Sequence, residues 1–383
     1  MRKLIPTLLI GAACGTSRPA VVQPSAEDKA IHERALVVDA HGGITEAIYY
    51  ENYDFLARHT DRAVDLPRMK EGGLDAEFFS IFVHPESAEI GQFFPEAMKQ
   101  IDALEALAKA SGGKLALART AAEVRSNAES NVTSMLLGVD GGHMLLPGSE
   151  DEQIAHLRKF AERGVRYLTL SWSSSSAIGG STAEAEQEGI TTFGRRVIAE
   201  MARLGIVADL SHASDVLFWD VVRSTKKPVL LTNSSARALS GHPRNASDPM
   251  LEAVARNGGA VCVDFSRTFL DDRFRKATQS LLQKTKGMHN SEKVALYKKA
   301  NLPDVPLSRL ADHIDHIAKV AGIEHVCLGS DFDNAPMMPS GLEDASKLPA
   351  LTSELRRRAW TEDNLRKLLG ENVLRVLAAN EAR

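Results

Sequence analysis

From about residue 30 onward, short apolar runs that end in polar residues alternate with stretches of helical periodicity, and this alternation constrains the fold more than any other feature. Eight runs can be placed in order: Ala35 to Ala40, Ala76 to Val83, Ser134 to Val139, Val165 to Trp172, Ile206 to Leu210, Pro228 to Thr232, Gly259 to Phe265 and His325 to Gly329. They are mostly apolar on both faces, as the strands of a covered parallel sheet must be. Helix-like segments such as Glu152 to Arg163, Thr192 to Leu204 and Leu307 to Ala321 separate them. The pattern predicts an α/β fold, a (β/α)8 barrel of the TIM type, as a single domain over residues 30–383. The competing arrangement is an open doubly wound sheet, against which stands the absence of a Gly-x-Gly-x-x-Gly turn after any strand. Thr268 to Pro306 is long, charged and helix-prone, and predicts a helical insertion between strands seven and eight that overhangs the barrel mouth. Thr361 to Ala378 carries Leu365, Leu368, Leu369, Val373, Leu374 and Leu377 at helical spacing, broken at Gly370, and predicts terminal packing.

Composition excludes one class of partner. Lys plus Arg is 46 against Asp plus Glu 50, a net charge of −4, and no window concentrates the basic residues. A nucleic-acid binder that works by neutralising phosphates is not expected. The three cysteines do not form a disulfide framework, and Cys262 and Cys327, each in an apolar run, are expected to be inert core residues.

Met1-Arg2-Lys3 followed by apolar Leu4 to Ala13 has the charged start and short apolar stretch of a secretory signal. It is shorter than the roughly 20 residues a membrane-spanning helix needs. Residues 1–28 therefore read as a signal peptide or lipoprotein leader with a Ser-, Pro- and Ala-rich tether. Cys14 follows Gly11-Ala12-Ala13, a start that resembles bacterial lipoproteins except that Gly11 replaces the usual Leu. The expected address is outside the cytoplasm, either the bacterial periplasm or a membrane surface reached through a lipid anchor on Cys14.

A barrel places its functional residues at the C-terminal ends of its strands. Here those ends carry Asp39, His41 and Gly43 after the first strand, and Asp140 and His143 after the third. Ser211 and His212 follow the fifth, Asn233 and Ser234 the sixth, and Ser330, Asp331 and Asp333 the eighth. Imidazole and carboxylate groups converging on a rigid rim are what a hard or borderline metal ion requires.

Several ordered segments go further: Val38-Asp39-Ala40-His41, Asp65-Leu66-Pro67-Arg68-Met69, Gly138-Val139-Asp140-Gly141-Gly142-His143, Arg166-Tyr167-Leu168-Thr169-Leu170-Ser171-Trp172, Asp209-Leu210-Ser211-His212, Arg244-Asn245 and Gly329-Ser330-Asp331-Phe332-Asp333. Through them the chain resembles the membrane (renal) dipeptidase family, zinc-dependent barrels that hydrolyse dipeptides, from about Ala35 to Leu377. The resemblance implies two zinc ions held by a His-x-Asp pair, a bridging Glu and two further His. In this chain His41 and His212 match, but Gly43 stands at the Asp position, Asp140 at the bridging Glu and Asn233 at the second of the two further His. It implies further that Arg244 holds the peptide carboxylate, that Asp331 contacts the amino end and handles protons, and that Trp172 stands where the renal enzyme orients the scissile carbonyl with a His. The implied partners are a dipeptide and a second copy of the chain.

Catalytic zinc ordinarily keeps three protein ligands and an open position. With one ligand lost from each site, the expectation is one metal or a weakly bound pair, or none. A single ion between the old sites would use His41, Asp140 and His212; nothing in the spacing aims His143 or His242 at the vacancy. Two readings stay open: a dipeptidase-type metallohydrolase in which Asp140 and the metal activate water and Asp331 carries the proton, or a non-hydrolytic dipeptide-binding protein on the same fold.

Overall fold

The computed structural model describes residues 23–382 apart from 87, 187, 286, 287, 289 and 336. The leader and Cys14 lie outside the described residues. Each of the eight apolar runs contributes one barrel strand: β1 (Val38–Gly42), β2 (Ala76–Ile81), β4 (Thr133–Val139), β5 (Val165–Thr169), β6 (Val207–Asp209), β7 (Leu230–Ser234), β8 (Ala260–Val263) and β9 (Val326–Leu328). All pair in parallel in the order β2-β1-β9-β8-β7-β6-β5-β4. Pairing of β2 with β4, in register from Ala76↔Ser134 to Ile81↔Val139, closes the barrel.

A ninth strand, β3 (Leu115–Leu117), was not anticipated. It pairs with β4 from Leu115↔Thr133 to Leu117↔Met135, while β5 pairs further along β4 from Leu137 onward. Three residues are too short a run to stand out by periodicity.

The strands are apolar on both faces because each face is buried. Val38, Ala40, Phe78, Leu136, Tyr167, Val207, Leu230 and Ala260 form one cluster, into which the terminal helix Asn372–Asn380 packs Val373, Leu374, Val376 and Leu377. Alternate residues such as Val37, Phe79, Leu137 and Leu168 join a second cluster with the surrounding helices. The break at Gly370 has a local cause: a Cβ there would fall inside the Leu36 carbonyl oxygen, and the chain passes it as a π-helical turn, Lys367–Glu371. The domain begins slightly earlier than expected, since Ser25 caps a helix over Ala26–Arg34 and Asp28 accepts a hydrogen bond from Ser353 Oγ at 2.9 Å.

The insertion between β8 and β9 is helical, with Arg267–Leu270, Asp272–Thr285 and Asn290–Lys299 preceding the barrel helix Leu307–Ala321. Phe269 and Met288 from this segment line the cavity at the barrel mouth. No helix among the described residues is long and apolar enough to cross a membrane.

The cysteine expectation is corrected. Cys262 and Cys327 are register partners on the adjacent strands β8 and β9, with Cα atoms 4.1 Å apart, and they form a buried disulfide. Counting cysteines cannot find this bond, because the pairing follows from strand register rather than spacing.

Candidate functional site

A cavity of about 1020 Å³ opens at the C-terminal ends of the strands. Gly43, Asp140, Trp172, His212, Asn233, Arg244 and Asp331 all line it, so the rim residues selected from sequence come together. His41, on β1, is fully buried beside them.

The orientation of His41 follows from a chain of hydroxyls. Thr232 Oγ1 donates to Asp209 Oδ2 at 2.9 Å and lies 3.0 Å from His41 Nδ1, so Nδ1 carries the proton and Thr232 accepts it. Tyr167 Oη, 3.2 Å from the same nitrogen and 2.8 Å from Ser80 Oγ, supports the ring from below. The bare Nε2 is buried without a hydrogen-bond partner, 4.0 Å from Asp140 Oδ2 and 3.8 Å from Asp331 Oδ1. Asp140 Oδ1 is likewise buried without a partner.

Burial dominates the electrostatics. It pushes the Asp140 carboxyl up to about 7, with Asp209 and Asp331 adding repulsion and Arg244 opposing. Asp331 is also pushed up to about 7 by burial, against the Arg244 charge and the side-chain amides of Asn334 and Asn233, which favour its ionised form. His41 falls to about 3 through burial and the Arg244 charge, and His212 is driven well below the ordinary range by burial, Arg244 and His41. Both imidazoles are therefore neutral at pH 7.

Arg244 is more constrained than a free carboxylate clamp. Its Nε donates to the Ser211 carbonyl at 2.6 Å, and its Nη2 donates to Asn233 O at 3.1 Å and Asn233 Oδ1 at 2.7 Å. The guanidinium stacks 5.2 Å from the Phe269 ring centroid, among the charges of Asp264, Asp140, Asp331 and Asp209.

The loop after β9 is fastened to β1. Ser330 N donates to Asp39 Oδ1 at 2.8 Å, Asp331 N to His41 O at 2.9 Å, and Gly43 N to Phe332 O at 2.7 Å. Asp331 and Asp333 have left-handed φ values of 57° and 67°, a conformation that non-glycine residues adopt at some cost. Asp333 holds its turn by accepting from Ala63 N and Val64 N at 2.9 and 3.0 Å.

Some residues escaped sequence reasoning. Asn334 lines the cavity, and its Cγ and Oδ1 occupy the space into which a Cβ on Gly43 would project. Phe82 and His84 pack against Trp172 with ring centroids 4.7 and 5.2 Å away, making an aromatic wall. Glu77 on β2, opposite Asp39, is fully buried with neither carboxylate oxygen hydrogen-bonded, and burial with the nearby Asp39 and Asp333 charges raises its pKa well above the ordinary value. A signal for it existed, since Glu77 is the single charged residue in the run Ala76 to Val83. His143 is tied to Val83 O at 3.0 Å, and His242 packs on Phe269.

The lone pair on His41 Nε2 and the bare oxygen of Asp140 suit a metal ion singly. As a set the donors differ from the two-zinc ligand set that the resemblance implies, with Gly43 and Asn233 standing at two of its positions. Among the described residues no group of three or more His, Cys, Asp or Glu side chains is arranged to hold a metal, and Asn233 is engaged by Arg244.

A closed parallel α/β barrel with its imidazoles and carboxylates gathered at the C-terminal rim has the architecture of the barrel metallohydrolases. The family model for membrane dipeptidase (peptidase family M19) matches residues 25–383, and the chain belongs to that family. Among solved structures it is similar to the dipeptidase AC, a metallo peptidase of family M19, at 29% identity and a TM-score of 0.76, over 91% of this chain and 99% of that one. It is also similar to a metallo peptidase from Rhodobacter sphaeroides liganded with a phosphinate mimic of the dipeptide L-Ala-D-Ala: 28% identity, TM-score 0.74, over 90% of this chain and 98% of that one. The probable dipeptidase PvdM from Pseudomonas aeruginosa shares the fold, with a TM-score of 0.79 at 21% identity over 93% and 98% of the two chains.

Proposed function

We propose that this protein is a dipeptide-binding member of the membrane dipeptidase family whose barrel mouth does not carry the ordinary two-metal centre. The observation that carries the reading is the engagement of Asn233 by Arg244 in a site where, among the described residues, no group of three or more His, Cys, Asp or Glu side chains is arranged to hold a metal. Recognition groups remain. Arg244 offers positive charge to a ligand carboxylate, Asp331 offers a carboxylate to its ammonium group, and Trp172 with Phe82 and His84 gives an apolar wall for a side chain.

In isothermal titration of chelator-treated protein, L-Ala-D-Ala is expected to bind, and Arg244→Ala to weaken that binding by at least about 10-fold, as removal of a charge-assisted hydrogen bond does. Binding that appears only after zinc is restored, together with hydrolysis, would overturn the reading. A second reading is favoured by the two unpartnered atoms His41 Nε2 and Asp140 Oδ1: a hydrolase holding one metal weakly through His41, Asp140 and His212, with Asp331 moving the proton.

The proposal includes export, to the bacterial periplasm or to a membrane through a lipid on Cys14. The buried Cys262–Cys327 disulfide supports it, because such bonds persist in oxidising compartments. A homodimer, as the family resemblance implies, completes the proposal.

A further inference from the structure

We propose that Asn334 bars a second metal ion from the barrel mouth, by filling the volume in which a side chain at position 43 would lie. This goes beyond the loss of ligands, and it rests on the reading that the mouth lacks a two-metal centre.

The argument is geometric. Gly43 donates its N–H to Phe332 O at 2.7 Å, and Asp331 N donates to His41 O at 2.9 Å, so the end of β1 and the loop after β9 are held in fixed register. In that register a Cβ built on Gly43 falls within the Asn334 amide, well inside the closest approach real side chains make. Glycine at 43 and asparagine at 334 are therefore two halves of one packing choice. An Asp at 43 needs a different side chain, or a different rotamer, at 334.

Asn233, which also lines the cavity, is likewise engaged: its side-chain oxygen accepts a hydrogen bond from Arg244 Nη2 at 2.7 Å.

Affinity for a second Zn²⁺, read by competition with a chromophoric chelator, tests the proposal in four proteins that all carry Asn233→His: that variant alone, with Gly43→Asp, with Gly43→Asp and Asn334→Gly, and with Asn334→Gly, the wild type being measured alongside. Thermal melting confirms that each is folded. The paired Gly43→Asp, Asn233→His variant is expected to gain less than about 3-fold over Asn233→His, Asn334→Gly on that background to gain nothing, and the triple variant to gain at least about 100-fold, given that even outer-shell changes alter metal affinity by roughly 10- to 100-fold. A paired variant that gains as much as the triple would overturn the role of Asn334, as would a triple variant that gains nothing while the wild type binds fewer than two equivalents. Two tightly bound equivalents in the wild type would instead overturn the underlying reading, and this inference with it.

Discussion

Asp140→Asn is expected to stabilise the metal-free protein at pH 8 by roughly 2–4 kcal/mol, since each tenfold difference in proton affinity between the folded and unfolded carboxyl is worth about 1.4 kcal/mol. The folded carboxyl titrates at about 7 because it is buried, whereas the unfolded one titrates near its ordinary value of about 3.9. A raised carboxyl keeps its proton in the folded state after the unfolded chain has released it. Its contribution is therefore fully present below about pH 4 and lost as pH rises through about 7. The asparagine amide avoids that loss, so its advantage is largest at pH 8 and shrinks to about 1 kcal/mol near pH 4.5. Urea unfolding with chelator at the two pH values measures it. If Asp140 were instead bridging metals in the protein as isolated, the same substitution would remove a ligand and destabilise at pH 8 when chelator is omitted.

Replacing both Cys262 and Cys327 with alanine should lower stability by about 4 kcal/mol on the loop-entropy account, the two residues being 65 apart in sequence. Both sulfurs are buried on neighbouring strands, so the alanines also leave unfilled space in the barrel. The strands concerned lead to Asp264 and Asp331, which places the consequence close to the mouth. Denaturant titration of the wild type and the double variant is the check, and a difference under about 1 kcal/mol would mean that the bond contributes little.

The strands of the barrel were legible because burial on both faces writes itself as a continuous apolar run, and the site was legible because polar residues follow each run at once. Val38 to Gly42 with His41, and Thr133 to Val139 with Asp140 behind it, show both signals together. Features that arise only when distant segments meet were not legible. The Cys262–Cys327 bond needs the register of β8 against β9. The Asn334 side chain over Gly43 needs the loop after β9 to be fastened to β1, and neither residue type announces metal chemistry. Arg244 was singled out as a carboxylate clamp, but its engagement with Ser211 O and Asn233 depends on how three separate loops close. Glu77 was readable in principle, as a lone carboxylate in an apolar strand, and its raised pKa is the electrostatic cost of that position.

The most direct test is to equilibrate the purified protein with excess Zn²⁺, dialyse it, and measure zinc per chain alongside L-Ala-D-Ala binding in the same sample. No more than one equivalent, removable by chelator without loss of dipeptide binding, is the predicted result. Two retained equivalents, with the dipeptide cleaved, would contradict the account.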